Sequence, residues 1–243
     1  MMFFKTTIED SGLFRGYTDW HSHLLPGVDD GIKTFDDALH ILRRYEELGV
    51  NHVWLTPHVM EDYPNRPADL RDRFAELIGK YSGNIQLHLG SENMLDCLFE
   101  RRLETDDLLP VTDEADHLLV ETSYFSEPVN FWETIDLIQC RGYHVVLAHP
   151  ERYRYMDHRD YIRLKEKNVK FQLNVPSLSG FYGRQAHDNA KWLLSKGYYD
   201  LSGFDLHSVK SLDFILHSKV RKSLLSAITA IAQPHPLYAL YFM

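Results

Sequence analysis

TFDDALHILRRYEELGVNHVWLTPH, residues 34–58, holds one full unit of the pattern that decides the fold. Thr34 can cap a helix and Asp37 can complete a capping box. Leu39, Leu42, Tyr45 and Leu48 recur at helical spacing, and Gly49 stops the helix. NHVWLTPH (51–58) is then rich in branched and aromatic residues and ends with a proline and a histidine, which reads as a strand. The alternation continues in both directions. GYTDWHSH (16–23) is the strand before it. Downstream come a helix at 67–81, a strand at 85–92 and a short helix at 94–103, then strand 116–123 with helix 130–142. Strand 143–150 with helix 158–168, strand 169–175 with helix 183–197, and strand 199–207 with helix 211–232 complete the series. Such alternation predicts an α/β protein with a parallel sheet, and seven strand–helix pairs suggest a TIM-like (β/α)7 barrel, closed or nearly so. Segments 59–66 and 176–183 read as loops. No low-complexity segment, repeat or Gly/Pro/Ser linker divides the chain, so a single domain over 1–243 is expected, with 1–16 as an N-terminal extension.

Of the 243 residues, 44% are hydrophobic and 25% charged, which suits a globular protein with a full core. The net charge of -9 argues against general affinity for nucleic acid or an anionic membrane. Two cysteines, Cys97 and Cys140, make no disulfide framework and favour a reducing compartment. No apolar run reaches membrane-spanning length, and the start is a poor signal peptide. A cytoplasmic protein without membrane insertion is expected.

Fourteen histidines is a high count, and their positions carry the signal. The first strand ends in His21 and His23, the second in His58, the third in Glu92, the fourth near Glu121 and the fifth in His149. The seventh ends in Asp205 and His207, and Asp29 and Asp30 follow the first strand. In a parallel barrel all these C-terminal strand ends meet on one face. Residues two apart on a strand point the same way, so His21 with His23, and Asp205 with His207, can each chelate. Singly, each has an ordinary reading: His58 as a structural histidine, Glu121 as a buried carboxylate held by backbone N–H groups, DDG at 29–31 as a turn. Together they favour a multinuclear metal site. Imidazole and carboxylate donors without thiolate suit Mn, Fe or Zn, among which the sequence does not choose.

HSHLLPGVDDG, TPHVMEDYPN, GSEN, VETSYF, AHPERY and FDLH, in this order, resemble the polymerase and histidinol phosphatase (PHP) superfamily. The nearest resemblance is to the bacterial PHP protein-tyrosine phosphatases of capsule and exopolysaccharide clusters, over about residues 17–234. The resemblance implies a distorted seven-stranded barrel of PHP type and two or three divalent ions, with Mn the first expectation. It assigns His21, His23, Glu92 and Asp205 to a first ion. Glu92, Glu121 and His149 go to a second, and Asp30, His58 and His207 to a third. Arg152 would contact the phosphate, with His58 and His207 as assisting groups. It further implies a phosphotyrosine protein as partner, the tail of a bacterial tyrosine kinase. Phe204 stands where many relatives have a small residue. Lys210 stands near a usual arginine and offers a point charge rather than a fork. Arg184 is a weaker second cation.

Metal ions would neutralise the oxygens of a phosphate monoester and lower the pKa of bound water. A phenolate leaving group has a pKa of about 10, so no strong general acid is required. Neither Cys97 nor Cys140 begins a C-x5-R motif, which argues against the chemistry of cysteine-based tyrosine phosphatases. Tyr63, Tyr124, Phe125, Phe181 and Tyr182 fall in loops of the expected rim and could stack on a phosphotyrosine ring. The alternatives are histidinol phosphate or another small phosphomonoester as substrate, a nuclease, and a scaffold without metal. The aromatic end AQPHPLYALYFM (232–243) is expected to pack on the core.

Overall fold

In the computed structural model, residues 5–112 and 116–232 are described. The extension contributes strand β1 (Lys5–Thr7), and β2 (Tyr17–Ser22) opens the alternation. There follow α1 (Phe35–Leu48), β3 (Val50–Leu55), β4 (His58–Val59), α2 (Pro67–Lys80), β5 (Gln86–Leu89) and β6 (Glu92–Met94). Next come α3 (Phe99–Glu104), β7 (His117–Glu121), α4 (Phe131–Cys140), β8 (His144–Ala148), α5 (His158–Glu166) and β9 (Lys170–Asn174). The chain continues through α6 (Gly183–Ser195), β10 (Leu201–Gly203), α7 (Val209–His217), β11 (Lys219–Arg221) and α8 (Lys222–Ala232).

Helix α1 shows how local chemistry sets the boundaries. The Asp37 N–H donates to Thr34 Oγ1 at 3.1 Å, and Gly49 ends the helix at φ 93°. The Asp37 carboxylate accepts from the Thr34 hydroxyl instead of closing a full box. Ala38, Ile41, Leu42 and Tyr45 are buried, while Leu39 and Leu48 lie at the margin of the face.

Nine parallel strands form a six-stranded sheet ordered β10-β9-β8-β7-β6-β4 and a three-stranded sheet ordered β2-β3-β5. The strand expected at 51–58 breaks at Thr56-Pro57, and the one at 85–92 breaks at Gly90-Ser91. Pro57 has no N–H to give to a ladder. The two broken strands still run side by side, because Gly90 N–H donates to Leu55 O (2.9 Å) and Glu92 N–H to Pro57 O (3.1 Å). At the other edge Ser22 pairs with Leu206, and Asp205 N–H donates to His21 O at 2.8 Å. The parallel sheet therefore curls, and its C-terminal strand ends share one rim. Gly203 permits this approach, since a Cβ there would lie 2.7 Å from the His21 backbone nitrogen and Cβ.

The larger apolar cluster joins sheet to helices. A smaller one holds Trp20, Trp54, Val111, Leu119, Val146, Ala148 and Leu201. It contains no helix residue, so it lines the side of the sheet turned from the helices.

Two expected helices differ. Residues 92–94 are strand rather than the start of a helix at 94, because they pair with β4 and β7, and α3 begins only at Phe99. The helix expected over 211–232 is broken at Ser218, where the chain turns extended. Lys219–Arg221 alternates exposed, buried, exposed, a period of two, and pairs antiparallel with β1. The extension is thus part of the fold. Its Phe14 stacks on Phe204 at 5.0 Å, which gives that large residue a buried place. The aromatic end beyond residue 232 lies outside the described residues. Among the described residues no helix is long and apolar enough to cross a membrane.

Candidate metal centre

The strand ends bring His21, His23, Asp30, His58, Glu92, Glu121, His149, Asp205 and His207 to one rim. His21 and His23 leave the end of β2 and meet Glu92 from β6 and Asp205 from beyond β10. Their donor atoms stand 3.1 to 3.5 Å apart. Donors around a tetrahedral cation with bonds of about 2.1 Å stand roughly 3.4 Å apart, so this group has the dimensions of a metal cage. A second group comprises His58, Glu92 and Glu121, with His58 Nδ1 at 3.1 and 2.9 Å from the two carboxylates. His149 Nε2 lies 2.9 Å from Glu92 and 3.9 Å from Glu121. A third comprises His23, Asp30, His58 and His207, with Asp30 Oδ1 at 3.5 and 3.6 Å from His58 and His207. Compared with the sets implied by the resemblance, His58 thus faces two groups, and His23 joins the third.

Buried polar atoms are normally paired. Here Glu92 Oε2, Glu121 Oε1, His58 Nδ1 and His149 Nδ1 are buried without a well-angled hydrogen bond, although His58 Nδ1 lies 3.1 and 2.9 Å from the two carboxylate oxygens. The orphaned atoms of Glu92, Glu121 and His58 belong to these groups, and a bound cation would satisfy them. The electrostatics agree. Burial alone would raise Glu92 and Asp205, but the neighbouring His21 charge, with His58 at Glu92 and His207 at Asp205, holds both well below the carboxylate range. Burial pushes Glu121 up, and the Glu92 charge adds to it. Burial and the Arg152 charge push His149 down to about 4. Buried carboxylates this close need positive charge between them.

Neighbouring groups fix the donors. His23 Nδ1–H donates to Asp29 Oδ2 at 2.8 Å, which leaves Nε2 free for the first group. The same carboxylate accepts the His58 N–H, and its other oxygen accepts the Gly31 N–H. The two aspartates of DDG therefore divide: Asp29 is buried and orients, while Asp30 reaches the cluster. Gly31 is more than a turn residue, since a Cβ would lie 2.4 Å from His23. His21 Nδ1–H donates to Gln172 Oε1 (2.9 Å), and Asn174 Nδ2–H to Asp205 Oδ2 (2.8 Å). His149 and Asp205 both adopt left-handed backbone, at φ 34° and 51°. That strain falls on two residues of the site. Gln172 and Asn174 escape motif reading, yet two polar residues two apart in the otherwise apolar FQLN are a usable signal.

Above the cluster, Arg152 Nη1 donates to Asp205 Oδ2 at 2.6 Å. Its guanidinium carbon lies 4.3 Å from the Tyr124 ring centre and 4.0 Å from that of Tyr182, between the two rings. A cavity of about 400 Å³ opens here, lined by Asp30, His58, Glu121, Arg152, Asp205 and His207 together with Tyr124, Phe181 and Tyr182. Tyr63 stands beside the site, its ring 6.1 Å from that of His58. Lys210 and Arg184 are not brought to this cavity. Lys210 is exposed on the first turn of α7, and the Arg184 side chain is 95% exposed beside Asp188.

Residues 17–218 match the family model described as capsular polysaccharide synthesis, CpsB/CapC. The tyrosine-protein phosphatase YwqE of Bacillus subtilis (strain 168) is 29% identical over 202 residues, 81% of this chain and 79% of that protein. A crystal structure from the study of YwqE from Bacillus subtilis and CpsB from Streptococcus pneumoniae, described as unique metal-dependent tyrosine phosphatases, matches with a TM-score of 0.75. It shares 24% identity and covers 92% of this chain and 90% of that one, which establishes the likeness of fold.

Proposed function

The chain belongs to the CpsB/CapC family of capsular polysaccharide synthesis, and from that premise we propose that it is a metal-dependent phosphatase acting on phosphotyrosine in protein. The observation that carries this reading is the set of three cation-sized donor groups beneath an arginine clamped between two tyrosines. Bound divalent ions, two or three with manganese first and iron or zinc next, would neutralise phosphate oxygens and activate water near neutral pH. The first would be held by His21, His23, Glu92 and Asp205, the second by Glu92, Glu121 and His149 with His58, and the third by Asp30, His58 and His207 with His23.

Arg152 has the phosphate-binding role. One nitrogen is held by Asp205, the rings on either face fix its plane, and its remaining N–H groups are directed to the phosphoryl oxygens. Tyr124 and Tyr182 serve the substrate through this clamp. His58 and His207 stand on the cavity wall as ligands of the proposed ions, and the phenolate leaving group needs little protonation, so no general acid is assigned to them. An accessible mouth supports a protein substrate: the Asp30 side chain is 52% exposed, and Phe181 and Phe125 are exposed at the rim. The loop at 59–66 stays short and folded back, with Met60 and Tyr63 exchanging backbone hydrogen bonds.

In this reading the partner is the autophosphorylated tail of a bacterial tyrosine kinase linked to capsule or exopolysaccharide production. The site of action is the cytoplasm, for which the two free thiols are suited. The chain is one domain over 1–243, its nine parallel strands serving as seven staves of a distorted barrel. Support comes from the bonds that carry β3 into β4, β5 into β6 and the end of β10 back to β2.

The test is phosphate release with added Mn²⁺ from a phosphotyrosine peptide and from histidinol phosphate, each repeated with a chelator. Chelator-sensitive preference for the peptide is expected. Preference for histidinol phosphate would keep the chemistry and replace the substrate, and no turnover of either would overturn the reading.

A further inference from the structure

A second cavity, of about 320 Å³, adjoins the first and shares Tyr124, Arg152 and Tyr182 with it as a common wall. Its other lining residues include Phe125, Arg154 and Arg184 and the start of α6. Three arginines thus face one hollow, in a chain whose net charge is -9. The local sequence explains their alignment. Tyr153 is extended (φ -74°, ψ 120°) and buried, as is Glu151, so Arg152 and Arg154 fall at alternate positions on the side of the hollow, Arg152 turned in to Asp205 and Arg154 exposed. Residues two apart in extended chain are roughly 6.6 Å apart, so Arg154 repeats the Arg152 charge one step along the surface.

Neither outer arginine is neutralised by a buried partner. The Arg154 guanidinium lies over the exposed Phe125 ring at 4.8 Å and has no carboxylate partner among the described residues. Among the described residues Arg184 meets only Asp188, at 3.5 Å and largely in solvent. At the mouth of the hollow α6 begins without a side-chain cap and without an acidic residue in its first turn, which adds partial positive charge. The phosphate-binding clamp and this basic hollow are therefore neighbours on one path across the rim.

We propose that this cavity is a second anion subsite, which takes the carboxylate of an acidic residue within two positions of the phosphotyrosine on the same peptide. The proposal rests on the phosphatase reading and names its substrate class. An extended peptide advances about 3.3 Å per residue, so two residues span the offset from Arg152 to Arg154. The Phe125 ring adds an apolar surface for the methylenes of a glutamate.

The test compares three substrates with the metal-loaded full chain: p-nitrophenyl phosphate, and phosphotyrosine peptides carrying either glutamate or glutamine at the flanking positions. The glutamate peptide is expected to have a kcat/KM about fivefold above its glutamine twin, through KM, the size that exposed charge pairs support. The ratio should approach one in about 0.5 M salt. It should also approach one in Arg154→Gln and in Arg184→Gln, with p-nitrophenyl phosphate as the reference for each variant. Equal rates for the two peptides in the parent chain would overturn the subsite. So would a glutamate preference that survives in the variant carrying both substitutions. Failure to turn over any of the three substrates would instead defeat the phosphatase reading on which the subsite rests.

Discussion

The rim of the curled sheet and the region away from it both gather histidines, but only the rim sets them among buried carboxylates. Away from the rim, His52 and His88 lie 3.1 Å apart across β3 and β5, and His88 stacks on Trp54. At the starts of β7 and β8, His117 and His144 lie against each other, and His117 meets Asp116 and the Lys170 amine. Burial there lowers the His117 pKa. At the rim, five histidines meet Glu92, Glu121, Asp205 and Asp30, and the strongly placed donors belong to shared groups. Among the described residues, every group of three or more donors able to hold an ion is at the rim. A histidine count therefore says little. What makes a cation site is a set of buried carboxylates beside the imidazoles, with donor atoms among them left unpaired.

That contrast can be attacked from either side. The largest effect is expected at a shared ligand: Asp205→Asn should lower phosphotyrosine-peptide turnover by about a thousandfold or more while circular dichroism stays native. Activity within tenfold of the parent would remove Asp205 from the centre. Arg152→Lys keeps the charge but loses the planar fork and its seat between two rings, so kcat/KM should fall about a hundredfold with metal content unchanged. Loss of metal instead would make Arg152 a structural strut of the cluster. Asp29→Asn leaves every proposed ligand in place and weakens only the hold on His23. Manganese affinity, read by titration calorimetry, should drop about 10- to 100-fold. Unchanged affinity would show that the Asp29–His23 bond does no orienting. The smallest effect belongs to the other region. His117→Gln should cost about 1 kcal/mol in denaturant unfolding and leave turnover and metal content alone. A collapse of activity there would erase the distinction between the two regions.

Much of this contrast is legible in the sequence, because it depends on where residues fall along strands. H-x-H at 21–23 and D-x-H at 205–207 are period-two signals at strand ends, and each end is marked by a change to loop chemistry. The helices with strong caps, such as Thr34 to Gly49, were equally readable. Breaks inside strands are harder to read: Pro57 and Gly90 mark Thr56-Pro57 and Gly90-Ser91, but the side-chain pattern continues across both, and backbone pairing settles where each strand stops. The strand at 219–221 lies inside the run 211–232 that reads as one helix, and it forms because a distant partner, β1, is available. The division of labour between Asp29 and Asp30 and the left-handed turns at His149 and Asp205 depend on contacts between segments far apart in the chain. Phe204, in place of a small residue, is accommodated by stacking on Phe14 from the extension, a contact between the two ends of the chain that no local pattern shows.

The most direct test of the central claim is the number of divalent ions bound per chain, measured by mass-spectrometric metal analysis on the parent and on Glu92→Gln. Glu92 is shared by two donor groups, so the account predicts two or three ions in the parent and at most one in the variant, with both proteins folded. A parent that binds none after incubation with Mn²⁺, or a variant that keeps the full complement, would contradict it.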